Sequence, residues 1–176
     1  MKKIVVVING KGGVGKDTLC SFVSEKYKVM NISSIDPIKT IAQSIGWDGR
    51  KDNKSRKLLS DLKKIATDYN DYPTQYLLEM YNSFVANDFE VLFVHIREKE
   101  QIQHFMQEIK GNAVSLLIRR KSKNEVYGND SDDNVEGYDY DYIYNNDKPL
   151  SNAKQDFLIF FESLLKSEGS KHESCI

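Results

Sequence analysis

A glycine-rich segment near the start of the chain has the residue types and spacing of a loop that binds phosphate. Gly10 and Gly15, with Lys16 directly after, fit the pattern G-x-x-x-x-G-K. Glycines let the backbone wrap around a phosphate and direct N–H groups at it, while the lysine reaches the β- and γ-phosphates of a nucleotide. The predicted nucleotide-binding residues form one run: Gly10, Lys11, Gly12, Gly13, Val14, Gly15, Lys16, Asp17 and Thr18.

Asp17 occupies the position after the loop lysine, where a serine or threonine normally ligates Mg²⁺. A carboxylate is also a hard oxygen ligand, so Asp17 is a candidate metal residue and the predicted cofactors are ATP and Mg²⁺. The alternative is a first-turn carboxylate that the helix dipole favours. The residue type does not decide between the two.

Three further charged residues are predicted to follow strands, at the edge where open α/β sheets bind ligands. Arg119 ends the fourth predicted strand and Arg97 the third, and a guanidinium matches the geometry of phosphate oxygens. Asp36 follows the second strand and could act as a base toward a hydroxyl acceptor, or cap the helix before Pro37. With Lys16, these are the predicted catalytic residues; Lys39 and Arg56 could hold an acceptor phosphate.

The same glycines also satisfy a second pattern, the G-x-G-x-x-G of dinucleotide-binding units, through Gly10, Gly12 and Gly15. Asp36 then stands near the position of the acid that binds a ribose. A dinucleotide-binding loop needs no lysine after its third glycine, however, and Pro37 indicates that Asp36 begins a helix. The phosphate-loop interpretation is therefore favoured.

Hydrophobic patterning predicts strands that alternate with helices. Residues 4–8 are continuously apolar and β-branched, which is typical of a strand buried on both faces of a parallel sheet. The predicted fold class is α/β, with three α/β/α layers around a roughly five-stranded parallel sheet. The other predicted strands are 29–33, 91–96, 113–118 and 141–144.

The length of 176 residues predicts one domain, from residue 1 to about 166. Within it, about 47–88 is a helical region expected to bind the acceptor. Residues 119–138 have no periodicity and begin with arginines, which predicts a lid. Residues 167–176 are expected to be a disordered tail.

The composition excludes several functional classes. Net charge is −1, so no global positive field gathers nucleic acid. The apolar run at 4–8 is too short for a secretory signal or a membrane span, and two cysteines cannot make a disulfide framework. The expectation is a cytoplasmic protein, monomer or homodimer, whose partners are ATP and a small phosphoryl acceptor.

The loop resembles those of two families. The string KGGVGK at residues 11–16 is similar to the deviant phosphate loop of partition-type ATPases, which implies that Lys11 crosses a dimer interface. Those families continue with two threonines where this chain has Asp17 and Thr18. They also carry a switch motif that is not found here.

The second resemblance extends over more of the chain. The string GKDT at 15–18 resembles the loop of phage-type deoxynucleoside monophosphate kinases and their relatives. Further strings resemble that family in the same order: IDPIK at 35–39, RKLL at 56–59, VHIR at 94–97, NVE at 134–136 and YIYNND at 142–147.

This resemblance implies the P-loop NTPase kinase fold with a lid, and transfer of the γ-phosphoryl group of ATP to a (deoxy)nucleoside monophosphate. The chain departs from the family at His95, where an aspartate orders Mg²⁺ through water, and at Gln101, which replaces an acid. Three alternatives stay open. They are a kinase of a hydroxyl acceptor (a nucleoside or dephospho-coenzyme A), a partition-type dimeric ATPase switch, and a nucleotide-binding protein without turnover.

Overall fold

The computed structural model describes residues 3–121 and 135–173, with side chains as far as residue 170. A short 3₁₀ turn at Val135–Gly137 precedes the last strand. The strands are β1 (Ile4–Asn9), β2 (Val29–Ser33), β3 (Val91–His95), β4 (Val114–Arg119) and β5 (Tyr142–Asn145). The helices are α1 (Lys16–Ser24), α2 (Asp36–Ser44), α3 (Asn53–Asn70), α4 (Tyr72–Ala86), α5 (Lys99–Glu108) and α6 (Leu150–Glu173).

The five strands form one parallel sheet in the order β2-β3-β1-β4-β5. Ile8 and Ser33 both lie level with His95, and Arg119 lies level with Asn145. The carboxyl ends of the strands therefore meet at one edge. This arrangement confirms the predicted α/β class and the five-stranded parallel sheet.

Helices cover both faces of the sheet, which gives the three predicted layers. Successive strand residues point to opposite faces, so Val6 and Ile8 pack with α1 and α6, while Val5 and Val7 pack with α4 and α5. The continuous apolar run of β1 is thus buried on both sides. Because α1 leaves β1 on one face and α5 leaves β3 on the other, a crevice opens between their carboxyl ends.

The helical pair α3–α4 occupies most of the region predicted to bind the acceptor. The Asp52 side chain caps α3 by accepting a hydrogen bond from the Ser55 N–H over 2.8 Å. The helix packs against α2 and α4 but fully buries only Ser55. Lys63 of this helix makes a polar contact with the rest of the molecule, described below.

The C-terminal helix is longer than the sequence suggested. It continues to Glu173, whereas the pattern predicted a tail from residue 167. After the last apolar residues the helix continues through lysine, glutamate and serine, with Gly169 and His172 among them. The Tyr142 hydroxyl lies 2.5 Å from Glu168 Oε1 and 3.2 Å from Ser167 Oγ, which fastens this part to β5.

Of the predicted lid at 119–138, residues 122–134 lie outside the described residues. Arg119 ends β4, as predicted. No helix among the described residues is long and apolar enough to cross a membrane.

Candidate functional site

The glycine-rich loop connects β1 to α1 in a conformation that its glycines make possible. Gly10 has φ +146°, and a Cβ on it would lie 2.4 Å from the Ile118 carbonyl oxygen. Gly15 has φ +96°, and a Cβ there would lie 2.7 Å from Asn146 Nδ2. Both positions combine a left-handed φ with a contact too close for any side chain. The first and last glycines of the motif are therefore required by geometry.

The N-terminus of α1 points at this loop. The helix begins at Lys16 with Gly15 as its N-cap residue, and no side chain of the described residues caps it. Its first N–H groups and the positive end of its dipole form an anion-binding end. The Lys16 ammonium donates to the Gly10 carbonyl and, over 3.2 Å, to the Lys11 carbonyl. The lysine charge therefore lies against the loop itself.

Asp17 is exposed in the first turn of α1. No group of three or more histidine, cysteine or acidic side chains in the described ranges could hold a metal ion. A single hard oxygen donor beside a phosphate loop fits Mg²⁺, because this ion keeps several waters and takes further oxygens from substrate phosphates. Asp17 as metal ligand stays a prediction.

His95 ends β3 beside the loop. The pKa of His95 is lowered to about 4, mainly by burial; the Asp17 carboxylate opposes this shift and the nearby Lys16 ammonium adds to it. The imidazole is therefore neutral near pH 7. Its Nε2 lies 3.4 Å from Asn31 Oδ1 on the neighbouring strand. A neutral ring at this place adds no positive charge beside Lys16 and supplies no carboxylate for a metal.

Arg119 lies on one side of the loop, at the end of β4. Its Nη2 donates to Glu136 Oε2 over 3.1 Å. Its Nε is buried without a partner among the described residues. A cavity of about 300 Å³ opens here, lined by Lys11, Val14, Arg119, Lys121, Glu136 and Asn145. Arg119 is thus the wall of a cavity beside the phosphate loop.

Asp36 and Arg97 lie on the other side of the loop, with β2 and β3. Asp36 Oδ2 accepts from the Ser33 N–H over 2.8 Å, and Oδ1 pairs with Lys39 Nζ at 3.1 Å. Arg97 follows β3, and its carbonyl accepts from Asn9. Since β1 stands between β3 and β4, the four predicted catalytic residues do not form one cluster. Lys16 lies in the middle, Arg119 on one flank, and Asp36 and Arg97 on the other.

Comparison of the whole structure with solved structures supports this architecture. A candidate kinase from Chloroflexus aurantiacus J-10-fl matches with a TM-score of 0.53 and 11% sequence identity, over 94% of this chain and 97% of that one. The likeness shows the fold that the two chains share, which in this chain is a three-layer α/β/α arrangement around a five-stranded parallel sheet. A candidate plasmid partition protein from Borrelia burgdorferi B31 bound to AMPPNP matches with a TM-score of 0.45 and 13% identity, over 94% and 100% of the chains. No family model and no curated sequence matches the chain.

Asn9 holds the glycine-rich loop in place, although the sequence motif does not include it. It is fully buried at the end of β1, and its Oδ1 accepts from the Gly10 N–H over 2.8 Å. Its Nδ2 donates to the Arg97 carbonyl over 3.0 Å and to the Tyr140 hydroxyl over 2.7 Å. The available signal was a polar residue that ends an otherwise apolar buried strand, since such a residue needs partners.

Asn146 fixes the other end of the glycine-rich loop. Its Nδ2 donates to the Val14 carbonyl over 2.8 Å, and its backbone N–H donates to the Arg119 carbonyl over 2.8 Å. The residue is buried and joins the loop to the cavity wall. The sequence resemblance at 142–147 includes this asparagine but predicts no structural role for it.

Lys63 is a further residue that sequence reasoning missed. It projects from α3, and only 13% of its side chain is exposed. Its ammonium pairs with the Glu98 carboxylate and donates to Ser34 Oγ over 3.0 Å. Burial lowers the pKa of Lys63, and the Glu98 charge opposes that effect. This ion pair fixes α3 against the segment that carries Arg97.

Proposed function

We propose that this protein is an ATP-dependent phosphotransferase that moves the γ-phosphoryl group of ATP to a (deoxy)nucleoside monophosphate. One observation carries the proposal. The loop from Gly10 to Lys16 brings two required glycines, the N-terminus of α1 and a lysine ammonium together at the carboxyl edge of a parallel sheet. Backbone N–H groups, a helix dipole and a mobile cation at one place are suited to a polyphosphate.

The catalytic contribution of such a site is positioning and charge stabilisation, without a covalent intermediate. The loop N–H groups would hold the β-phosphate, and Lys16 would stabilise charge on the transferring group. Thr18, in the first turn of α1, would contact the α-phosphate. Mg²⁺, held on the protein side by Asp17, would supply further positive charge to the phosphate oxygens.

The two flanks of the loop suggest separate places for the two substrates. The cavity at Arg119 has about 300 Å³, opens beside Lys11 and Val14, and suits the nucleoside part of ATP. The guanidinium of Arg119 lines this cavity and is partly exposed, so it could donate to a ligand there. The acceptor would lie on the opposite flank, between the ends of β2 and β3 and the α3–α4 pair. Arg97 and Lys39 would meet its phosphate there.

The contacts of Asp36 favour a phosphate acceptor over a hydroxyl acceptor. A hydroxyl acceptor gains from a general base that takes its proton. Both oxygens of Asp36 already have donors, the Ser33 N–H and the Lys39 ammonium. A carboxylate held in this way is suited to fixing the start of α2. A nucleoside monophosphate needs no base, because its attacking oxygen is already an anion near neutral pH.

A coupled ADP-release screen tests the proposal. Purified protein with ATP and Mg²⁺ is supplied in turn with nucleosides, nucleoside monophosphates and dephospho-coenzyme A. We expect ADP release that depends on one or a few monophosphates and that Lys16→Met abolishes. ADP release that depends on a nucleoside or on dephospho-coenzyme A would reject a phosphate acceptor and support a hydroxyl acceptor. Release without any acceptor, dependent on Lys11 and on dimerisation, would support the partition-type switch instead.

A further inference from the structure

A chain of hydrogen bonds crosses the sheet edge beneath the phosphate loop and joins its two flanks. It starts at the Arg97 carbonyl, which accepts from Asn9 Nδ2 over 3.0 Å. The same nitrogen donates to the Tyr140 hydroxyl over 2.7 Å, and that hydroxyl donates to the Val135 carbonyl over 2.7 Å. The next residue, Glu136, forms the ion pair with Arg119.

The two side chains in the middle of the chain, Asn9 and Tyr140, have their donors and acceptors matched. The Asn9 amide uses both hydrogens, one toward Arg97 and one toward Tyr140, and its oxygen takes the first N–H of the loop. Tyr140 accepts one bond and donates one. Burial raises the pKa of Tyr140 to about 12, so the hydroxyl keeps its proton across the physiological range. A buried network that is fully satisfied holds its members in one arrangement.

The chain lies where the two flanks could otherwise move independently. Arg97 follows β3, while Val135 and Glu136 precede β5, and these strands are separated in the sheet by β1 and β4. Asn9 is the residue of β1 that faces both sides. A shift of residues 135–137 would therefore move the Tyr140 hydroxyl and, through the Asn9 side chain, disturb the hydrogen bonds to the Arg97 carbonyl and the Gly10 N–H.

We propose that Tyr140 and Asn9 are positioning residues that couple the Arg119–Glu136 flank to the Arg97 flank and to the phosphate loop. The coupling rests on the proposed function, because its role would be to align the two substrates during transfer. Tyr140 and Asn9 would act through the residues they hold and not by binding substrate. The side chain of Tyr140 also packs partly against the core under β3 and edge-on to Tyr138 at 5.0 Å, so the ring keeps its place without the hydroxyl.

The chain supplies a matched pair of variants. Tyr140→Phe deletes the hydroxyl that joins the flanks. Tyr142→Phe deletes a hydroxyl two residues later, whose partners Ser167 and Glu168 belong to α6. Both changes remove one oxygen from a tyrosine with a hydrogen-bonded hydroxyl. A loss of packing or of general stability would therefore affect the two proteins alike.

Amide hydrogen exchange of the full-length wild type and both variants, with and without a non-hydrolysable ATP analogue, tests the coupling. In the wild type we expect the analogue to slow exchange at residues 10–16 and also at 95–98. In Tyr140→Phe the loop protection should stay within about twofold, while protection at 95–98 falls at least about fivefold. Tyr142→Phe should match the wild type.

Two results would overturn the coupling: equal behaviour of the two variants, or a Tyr140→Phe protein that loses protection everywhere. If the wild type does not bind the analogue, the ligand-free proteins provide the test. Exchange at residues 10–16 and at 95–98 must then be at least about threefold faster in Tyr140→Phe than in Tyr142→Phe. Phosphoryl transfer by the wild type is measured separately. A protein that shows the coupling but transfers nothing contradicts the proposed function alone.

Discussion

Gly10 lies so close to Ile118 that a Cβ on the glycine would be 2.4 Å from the Ile118 carbonyl oxygen. The contact joins the first residue of the phosphate loop to the neighbouring strand β4, whose end carries Arg119. The loop is therefore shaped by the sheet beneath it as well as by its own glycines. Any side chain at Gly10 must push the loop away from β4.

Gly10→Ala tests this contact. The backbone at Gly10 has φ +146°, and strain of that kind costs about 1–3 kcal/mol before the clash with Ile118 is added. We expect a loss of unfolding free energy above about 2 kcal/mol in urea denaturation, together with loss of ATP binding. Gly46→Ala is the matched control, because Gly46 has φ +98° and open space around it. An equal loss of stability in the two variants would show that the close approach to Ile118 adds nothing to the destabilisation.

Lys16→Met should remove phosphoryl transfer without unfolding the protein. The ammonium donates to two loop carbonyls, and charge stabilisation at a transferring phosphoryl group is worth several kcal/mol. We expect kcat to fall at least about 100-fold, with a melting temperature within about 2 °C of the wild type. Lys28→Met, at a lysine that directly precedes β2 at the opposite edge of the sheet and has 64% of its side chain exposed, is the control. Turnover of Lys16→Met within about threefold of wild type contradicts the assignment of the loop.

Asp36→Asn separates the two acceptor classes. The amide keeps the size of the side chain but weakens the bonds to the Ser33 N–H and Lys39, so we expect a stability loss of about 1 kcal/mol. With a phosphate acceptor, kcat should change less than about tenfold, since no base is needed. Steady-state kinetics with the acceptor found in the screen give the answer. A loss of kcat beyond about 100-fold at unchanged ATP affinity, in a variant that is still folded at the assay temperature, would indicate a hydroxyl acceptor.

Asp17→Asn distinguishes a metal ligand from a helix-dipole charge. If Asp17 holds Mg²⁺, the Mg²⁺ concentration for half-maximal activity should rise at least about tenfold. If Asp17 only favours the start of α1, the variant should lose about 0.3–1 kcal/mol of stability and keep its Mg²⁺ requirement. A magnesium titration of activity and a denaturation curve separate these outcomes. The first is expected.

His95 predicts a specific sensitivity to acid. Its folded pKa of about 4 lies below the ordinary value of 6.5, so the unfolded chain takes up the proton more readily. The stability that depends on the neutral ring is complete above about pH 6.5 and decreases as pH falls toward 4, by up to about 3 kcal/mol. Thermal melts between pH 7 and pH 4.5 should show a smaller loss for His95→Gln than for the wild type. His104→Gln keeps His95 and should retain the full loss; equal losses in both variants would contradict the assignment.

The sequence could predict those features of the molecule that depend on residues close together in the chain. The apolar run of β1 and the glycine spacing depend on local backbone and side-chain properties, and the structure confirms the sheet and the placement of Lys16 at a helix N-terminus. The role of Asn9 could not be predicted, because its partners Arg97 and Tyr140 are distant in sequence and become neighbours only through the strand order. The same order explains why Arg119 and Arg97 lie on opposite flanks of the loop. The contact between Glu168 of α6 and Tyr142 of β5 is likewise long-range, so the sequence pattern around residue 167 does not show it.

Phosphorus NMR of the products tests the central claim most directly, because it identifies the bond that forms. The protein is incubated with ATP, Mg²⁺ and an equimolar mixture of nucleoside monophosphates, with Lys16→Met as control. We predict that each ATP consumed gives two nucleoside diphosphates and removes one nucleoside monophosphate from the spectrum, a change that grows with time and is absent in the control. A spectrum that gains only inorganic phosphate, or only a new phosphomonoester when nucleosides are supplied instead, would contradict transfer to a nucleoside monophosphate.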